Sequence, residues 1–268
     1  MIGLALSKKR PFNVEDVLEN NPPKKTKIYD SKAEKRRKRE ELFHREVEVI
    51  TKDDDFPMPD EEHGNAFLVG ICGRRKCGKT FFADKLLKTI WKGLFDKIYV
   101  LSRTAKKQPK YFGTWGGNIV FIEEWDESFF QKVVEELEHN KNDKYLIFID
   151  DMANSMREKL YESQIDDFSF IGRHSRLSIC WLIQKITLST PGFRQEADAF
   201  INFREENMQE LRLLHREWGY GDLDDFITPL LEHTKEPYSW IMIRNIQGNI
   251  HIMRPPNEEE QKLLWGPK

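Results

Sequence analysis

The chain has 268 residues, with 43 Lys and Arg against 45 Asp and Glu and a formal net charge of −2. This length accommodates one α/β domain with a substantial core, together with extensions. Its three cysteines, Cys72, Cys77 and Cys180, lie in or near apolar runs, which argues against a disulfide framework and predicts free thiols in a reducing compartment. No apolar stretch approaches the length of about 18 residues typical of a membrane span, and the N-terminus lacks a hydrophobic signal core. We therefore expect an intracellular protein that does not span a membrane.

Positive charge is concentrated in the N-terminal stretch. Residues 1–45 contain 13 basic and 7 acidic residues, including the run Lys35–Arg39. Because few apolar residues interrupt them, we predict that residues 1–62 form a basic arm and an acidic linker that do not fold alone. The basic clusters are typical of a nuclear-import signal or a nucleic-acid-binding arm, and equally of a solubilising tail. Residues 63–256 are predicted to form the folded domain and residues 257–268 a C-terminal tail.

Short apolar runs alternate with amphipathic segments through the predicted domain. Strands are predicted at Val47–Ile50, Phe67–Cys72, Lys97–Ser102, Asn118–Ile122, Tyr145–Ile149, Leu177–Ile183 and Ala199–Phe203. Helices are predicted over Phe82–Leu94, Phe129–Leu137, Arg157–Ile171 and Met208–Trp218. Two further runs, Ser239–Arg244 and Asn249–Met253, flank a Gln-Gly pair and predict a closing β-hairpin. This order predicts an α/β fold, with a mostly parallel central sheet, helices on both faces and a C-terminal β-hairpin.

A phosphate-binding loop is predicted directly after the strand at Phe67–Cys72. Gly73, Gly78, Lys79 and Thr80 give the pattern G-x-x-x-x-G-K-S/T between a strand and a helix. The glycines let successive N–H groups face a polyphosphate, Lys79 places a cation on the β- and γ-phosphates, and the Thr80 hydroxyl can hold Mg²⁺. The predicted nucleotide-binding residues also include the interior of the loop, which is unusually basic: Arg74, Arg75, Lys76 and Cys77.

Polar residues follow two later strands at positions suited to nucleotide hydrolysis. Asp150 ends the strand at Tyr145–Ile149, as a Walker B aspartate does, and would hold Mg²⁺ opposite Thr80. Asp151 would polarise the attacking water, although a helix cap is an alternative explanation for this acidic pair. Gln184 ends the strand at Leu177–Ile183 and would sense the γ-phosphate or position the water. Together, the spacing predicts ATP hydrolysis with Mg²⁺.

An arginine from a neighbouring subunit often completes such a site and contributes a factor of about 10³–10⁵ in rate. The candidates are Arg173, Arg176 and Arg194, of which Arg194 is preferred because it lies near the expected active edge. For DNA, the loop Arg103–Gly117 offers Lys106, Lys107 and Lys110, although a solvated surface loop explains these lysines equally well. An N-K-x-D match at residues 140–143 precedes the Walker B strand, where a guanine-reading motif does not belong, so a GTPase is not expected.

Several segments together resemble the FtsK/HerA-type genome-packaging ATPases of large double-stranded DNA viruses and virophages, including the poxvirus type. These segments are Gly73–Thr80, Tyr145–Asp151, Gly172–Arg176, Trp181–Gln184 and Pro191–Phe203. The resemblance implies a RecA-like P-loop NTPase core of the additional-strand (ASCE) class, which forms a homo-oligomeric ring and translocates double-stranded DNA into a preformed capsid. It also implies that Lys79 and Thr80 bind ATP and Mg²⁺, and that Asp150 and Asp151 act on the metal and the water. Gln184 would sense the γ-phosphate, and Arg194 would act in trans, in the site of a neighbouring subunit. The chain departs from the family in its basic loop interior and in the Asp151 position, where Glu is commoner.

Two other functions remain open at the level of sequence. One is a helicase or replication-associated ATPase of a virus or mobile element, and the other is a scaffold that binds nucleotide without useful turnover. For the packaging motor, capsid proteins are expected partners. The expected location is the interior of a host cell, in the nucleus or a cytoplasmic virus factory, or in association with virions.

Overall fold

The computed structural model describes residues 47–59, 66–104, 114–123, 127–150, 152, 159–172, 174–246 and 248–259. These residues form nine strands, which are β1 Glu48–Val49, β2 Leu68–Cys72, β3 Lys97–Leu101, β4 Asn118–Ile122, β5 Tyr145–Asp150, β6 Leu177–Ile183, β7 Ala199–Phe203, β8 Trp240–Ile246 and β9 Asn249–Arg254. They also form six α-helices, which are α1 Lys79–Lys88, α2 Glu127–His139, α3 Lys159–Gly172, α4 Pro191–Glu196, α5 Met208–Trp218 and α6 Leu223–His233. Short 3₁₀ helices occur at Asp53–Asp55 and Ile186–Leu188.

All nine strands belong to one sheet with the order β1-β9-β8-β7-β2-β6-β5-β3-β4. The strands from β7 to β4 in this order are mutually parallel, whereas β8 runs antiparallel to both β7 and β9. Every residue of β2, β5, β6 and β7 is buried, as expected of parallel strands that are covered on both faces. The mostly parallel sheet and the C-terminal hairpin predicted from the sequence are confirmed.

Helices cover both faces of this sheet. On one face, Ala83, Leu86 and Leu87 of α1 pack in a hydrophobic cluster with alternate strand residues such as Val69 and Ile71. The cluster on the other face takes its α-helical members from α2 to α6, among them Val133, Phe168, Leu211 and Phe226. The period-2 alternation of the strands therefore supplies both cores.

Strand β1 lies at one edge of the sheet and pairs in parallel with β9. It coincides with the short edge strand predicted at Val47–Ile50, inside the stretch that was assigned to the arm and linker. The domain boundary at residue 62 stays a prediction.

Helix α1 is shorter than the sequence pattern predicted. It ends at Lys88, because Thr89 has a non-helical backbone conformation (φ −122°, ψ −85°). Trp91 is nevertheless buried, and its indole N–H donates to the carbonyl oxygen of Pro57 at 3.0 Å. The later apolar residues of the predicted helix thus reach the core from a turn.

All three cysteines are free thiols, as predicted. Within the described part of the chain, no helix has the length and apolar character needed to cross a membrane.

Candidate functional site

The loop between β2 and α1 closes tightly around its two glycines. A Cβ atom on Gly73 would lie 2.7 Å from both the Cys77 Sγ and the Phe203 Cβ, so this position has no room for a side chain. Gly78 adopts φ +104° and forms the N-cap of α1, in the left-handed region that glycine tolerates best. The glycines of the predicted phosphate-binding loop are therefore required by its geometry.

The cation of the loop lies inside this curl. The Lys79 ammonium donates to the carbonyl oxygens of Gly73 at 2.5 Å and Arg74 at 2.9 Å. Since α1 begins at Lys79, the unpaired N–H groups and the positive dipole end of its first turn face the same region. Such an arrangement of N–H groups and an ammonium suits the phosphates of a nucleotide.

A hydroxyl and a carboxylate meet beside the loop. Thr80 Oγ1 donates to Asp150 Oδ2 at 3.0 Å, and Asp150 is buried at the end of β5. Hydroxyl and carboxylate oxygens are the ligands that Mg²⁺ prefers, so this pair fits the metal expected from the sequence. The two side chains come from positions 70 residues apart, and the fold places them together.

Strand β6 brings Gln184 to the same edge of the sheet. It pairs with β2 on one side and β5 on the other, with Cys72 opposite Ile183. The Gly73 N–H donates to the Ile183 carbonyl oxygen at 3.1 Å, directly before Gln184. Because parallel strands share their carboxyl edge, the structure brings Gln184 to the edge where the loop and Asp150 lie.

The basic loop interior faces outward. Arg74, Arg75 and Lys76 are exposed, and the Arg74 guanidinium lies 3.7 Å from Glu205 and 3.6 Å from Glu206. These carboxylates follow β7 and offset part of the positive charge of the loop. Because the Arg74 side chain is mostly exposed, these pairs contribute little to stability.

Cys77 is half-buried within the loop, with its Sγ 3.9 Å from the Lys79 Nζ. Burial raises the pKa of the Cys77 thiol above its ordinary value, although the nearby Lys79 acts in the opposite direction. The side chain is consequently a neutral thiol near pH 7.

Arg194 is held inside its own chain. It lies on α4 with only 8% of its surface exposed, its Nε donates to Glu217 at 2.6 Å, and its Nη1 donates to the Ser189 carbonyl oxygen. Its own carbonyl accepts from the Trp218 indole at 3.2 Å. These contacts favour an architectural role, and the expected role in a neighbouring subunit stays a prediction.

Arg176 lies at the opposite edge of the sheet from the loop. It directly precedes β6 with φ +56°, its carbonyl accepts from the Tyr145 N–H, and its guanidinium donates to the Asn142 carbonyl at 3.0 Å. The remaining predicted residues lie outside the described part of the chain, namely Asp151, Arg173, Lys106, Lys107 and Lys110.

An aromatic cleft beside the loop was not predicted from the sequence. It has a volume of about 440 Å³ and is lined by Gly78, Phe81, Phe82, Lys85, Phe203, Tyr238 and Trp240. A second cleft of about 340 Å³, lined partly by Arg74, Lys76, Arg204 and Lys235, shares Phe203 and Tyr238 with the first. The signal in the sequence that could have indicated this cleft is the aromatic residues Phe81 and Phe82, directly after Thr80, and Tyr238 and Trp240, at the start of the hairpin.

Comparison with known families identifies the chain. The family model described as "Poxvirus A32 protein" matches residues 60–213, which contain the loop, Asp150 and Gln184. The chain belongs to this family. The poxvirus-type resemblance noted in the sequence is thereby confirmed. A search of curated proteins found no match to this A32-family chain.

Solved structures share the fold of this A32-family protein. The DNA-packaging ATPase B204 from Sulfolobus Turreted Icosahedral Virus matches with a TM-score of 0.54 and 19% identity, covering 72% of this chain and all of B204. The genome-packaging NTPase B204 from Sulfolobus turreted icosahedral virus 2, in complex with AMPPCP, matches with a TM-score of 0.53 and 18% identity. This match covers 71% of the present chain and 98% of that B204 chain. The pCW3 conjugation coupling protein TcpA matches with a TM-score of 0.50 and 12% identity, covering 71% of this chain and 60% of TcpA. The predicted P-loop NTPase fold is confirmed.

Proposed function

We propose that this A32-family chain is an ATP-hydrolysing motor that translocates double-stranded viral DNA into a preformed capsid. The observation that carries the proposal is the convergence of the loop, the Thr80–Asp150 pair and the end of β6 at one sheet edge. At that edge lie a loop suited to phosphates, two oxygen ligands suited to a hard cation, and the Gln184 amide. Gln184 follows β6, the strand between β2 and β5. The structurally similar B204 proteins are described as a DNA-packaging ATPase and a genome-packaging NTPase, and one of them binds AMPPCP.

The nucleotide site is assigned residue by residue. The N–H groups of residues 74–76 and 78–80 and the Lys79 ammonium would bind the β- and γ-phosphates. The ammonium would then exchange its present contacts with the carbonyls of Gly73 and Arg74 for the phosphates. Thr80 and Asp150 would hold Mg²⁺. When bound, this ion neutralises charge on the phosphates.

Hydrolysis requires a water molecule in line with the bond between the β- and γ-phosphates. We assign Asp151, which follows Asp150 directly in the sequence, to orient and polarise this water. Gln184 would hydrogen-bond the γ-phosphate or the water from the neighbouring strand. Attack breaks the β–γ phosphoanhydride bond and yields ADP and inorganic phosphate.

The proposal extends to the assembly. A homo-oligomeric ring around double-stranded DNA would let successive subunits contact phosphates without regard to sequence, and these contacts would weaken with salt. The basic stretch at residues 1–45 would serve either DNA binding or entry into the nucleus, and capsid proteins would be the further partners. The protein would work inside an infected cell.

The decisive experiment measures ATP turnover by the full chain with and without double-stranded DNA, alongside the mass of the assembled species. We expect DNA to stimulate turnover and Lys79→Ala to abolish it. Lys92→Ala, which alters an exposed lysine just beyond α1, is the matched control and should behave as wild type. Turnover that is unaffected by DNA would refute the translocase, and nucleotide binding without turnover would point to the scaffold. Displacement of a strand from forked DNA would favour the helicase.

A further inference from the structure

The aromatic cleft beside the loop has a floor and a rim with different exposures. Phe82, Phe203 and Trp240 form the floor, where the Phe82 ring centroid lies 4.7 Å from Trp240 and 5.9 Å from Phe203. Phe203 and Trp240 are directly paired across β7 and β8. Phe81 and Tyr238 form the rim, and these residues are 65% and 69% exposed.

Such exposure of aromatic side chains calls for a physical explanation. Among the described residues, only five large apolar side chains are exposed, and two of them line this one cleft. Clustered apolar exposure indicates a binding surface, whereas isolated exposure does not. The cleft also has the volume and the aromatic lining common in small-molecule sites.

Tyr238 is held over the loop in a strained backbone conformation. It has φ +65°, which is costly for a bulky residue and recurs at functional sites. Its Cδ1 lies 3.1 Å from the position that a Cβ atom on Gly78 would occupy. The ring therefore borders the phosphate loop directly.

The position of the cleft indicates its occupant. Gly78 and Phe81, which line it, flank Lys79 and Thr80 in the sequence, so the cleft begins where the phosphates would end. A nucleotide held by its phosphates has a ribose and a planar base that must lie within a few ångströms of this loop. An aromatic base fits a cleft that presents aromatic faces, because stacking does not require particular polar partners.

We infer that the nucleobase of the bound nucleotide stacks in the cleft formed by Phe81, Phe82, Phe203, Tyr238 and Trp240. This inference rests on the proposed nucleotide site and adds the part of that site which recognises the base. Phe81 and Tyr238 supply exposed faces at the rim, and the floor supplies apolar contact. The cleft thereby holds the base of the nucleotide, and the phosphate loop holds its phosphates.

The test compares a ligand that has a base with one that does not. Dissociation constants for AMPPCP and inorganic tripolyphosphate, both with Mg²⁺, are measured by calorimetry on the full chain. Stacking of one base is worth a factor of roughly 5 to 150 in affinity. We expect Tyr238→Ala and Phe81→Ala each to weaken AMPPCP binding within this range, with tripolyphosphate binding unchanged, and Tyr238→Phe to restore it. Phe170→Ala, which removes an exposed aromatic ring from α3, should change neither constant.

The outcomes separate the inference from the function on which it rests. If both alanine variants bind AMPPCP as tightly as wild type, or lose both ligands equally, the stacking cleft is refuted while the loop remains a phosphate site. If wild type and Lys79→Ala bind tripolyphosphate equally weakly, the proposed nucleotide site itself fails.

Trp240 provides an independent optical readout. AMPPCP should quench part of the protein fluorescence, tripolyphosphate should not, and Trp240→Phe should abolish the difference. Equal quenching by both ligands would contradict stacking over Trp240.

Discussion

Replacing Arg194 by Met tests whether this residue is architectural. The pair between Arg194 and Glu217 is 2.6 Å long, and the two side chains are only 9% and 21% exposed. Removing one partner of a buried pair costs about 3–5 kcal/mol, because the other charge stays without compensation. Since Glu217 keeps some contact with solvent and a second partner, the exposed Arg216 guanidinium at 3.3 Å, we expect about 2–4 kcal/mol here, including the lost bond to the Ser189 carbonyl.

This loss is measurable by thermal unfolding. At about 2–4 °C per kcal/mol for a domain of this size, Arg194→Met should lower the Tm by roughly 4–16 °C. Arg204→Met is the matched control, because the Arg204–Glu206 pair has nearly the same length, 2.7 Å, but its side chains are 44% and 49% exposed. An exposed pair contributes little to stability, so the control should shift the Tm by only a few degrees.

Equal shifts for the two variants would refute the reasoning. An arginine that acts in trans gives a different pattern, with unchanged Tm, lost ATPase activity, and partial recovery when Arg194→Met and Lys79→Ala subunits are mixed in one assembly. The double variant Arg194→Met/Glu217→Leu adds a check, because it removes both charges and should be more stable than Arg194→Met alone.

Two further predictions concern the edge of the sheet. Gln184→Ala should leave the Kd for AMPPCP within about twofold but lower kcat by about 10²-fold, since a group that positions the γ-phosphate or the water acts mainly in the transition state. If binding and turnover assays show that AMPPCP affinity and kcat fall by the same factor, this role is contradicted. Because burial raises the pKa of the Cys77 thiol, N-ethylmaleimide should modify it slowly at pH 7 and faster as the pH rises, and AMPPCP should protect it. Rapid modification at pH 7 that AMPPCP does not slow, measured by mass spectrometry, would contradict a half-buried thiol that bound phosphates shield.

The strands and the loop could be predicted from sequence because their signals are local. Leu177–Ile183 is a run of buried residues that ends in Gln184, and its predicted bounds match β6. The pattern from Gly73 to Thr80 specifies a strand, a tight turn and a helix start in consecutive residues. Since parallel strands end at a common edge, placing Asp150 and Gln184 after strands was enough to predict that they lie together.

Two helices were missed because their sequences also carry loop signals. Helix α4 has only six residues and begins Pro191-Gly192, but Thr190 is its N-cap and accepts from the Phe193 N–H. Thr followed by Pro is a recognisable helix start, so the signal was present. Helix α6 contains Pro229 in its interior, which disfavours a helix prediction.

Contacts between distant segments could not be predicted locally. The partner of Arg194 comes from α5, and no periodicity in either segment indicates the ion pair. The aromatic cleft likewise joins the first turn of α1 to the residues before β8. Such contacts depend on the strand order, in which the hairpin returns beside β7 next to the loop strand.

The same strand order links the nucleotide edge to the helices behind it. The Gly73 N–H donates to Ile183, and just beyond Gln184 both the N–H and the hydroxyl of Thr187 donate to the buried carboxylate of Glu210 in α5. Helix α5 also carries Glu217, which fixes Arg194. These hydrogen bonds, together with the backbone beyond β6 and helix α5, therefore connect the loop to Arg194. An architectural Arg194 is therefore linked to that edge of the sheet, because its ion pair ties α4 to the helix that accepts the hydrogen bonds of Thr187, just beyond β6.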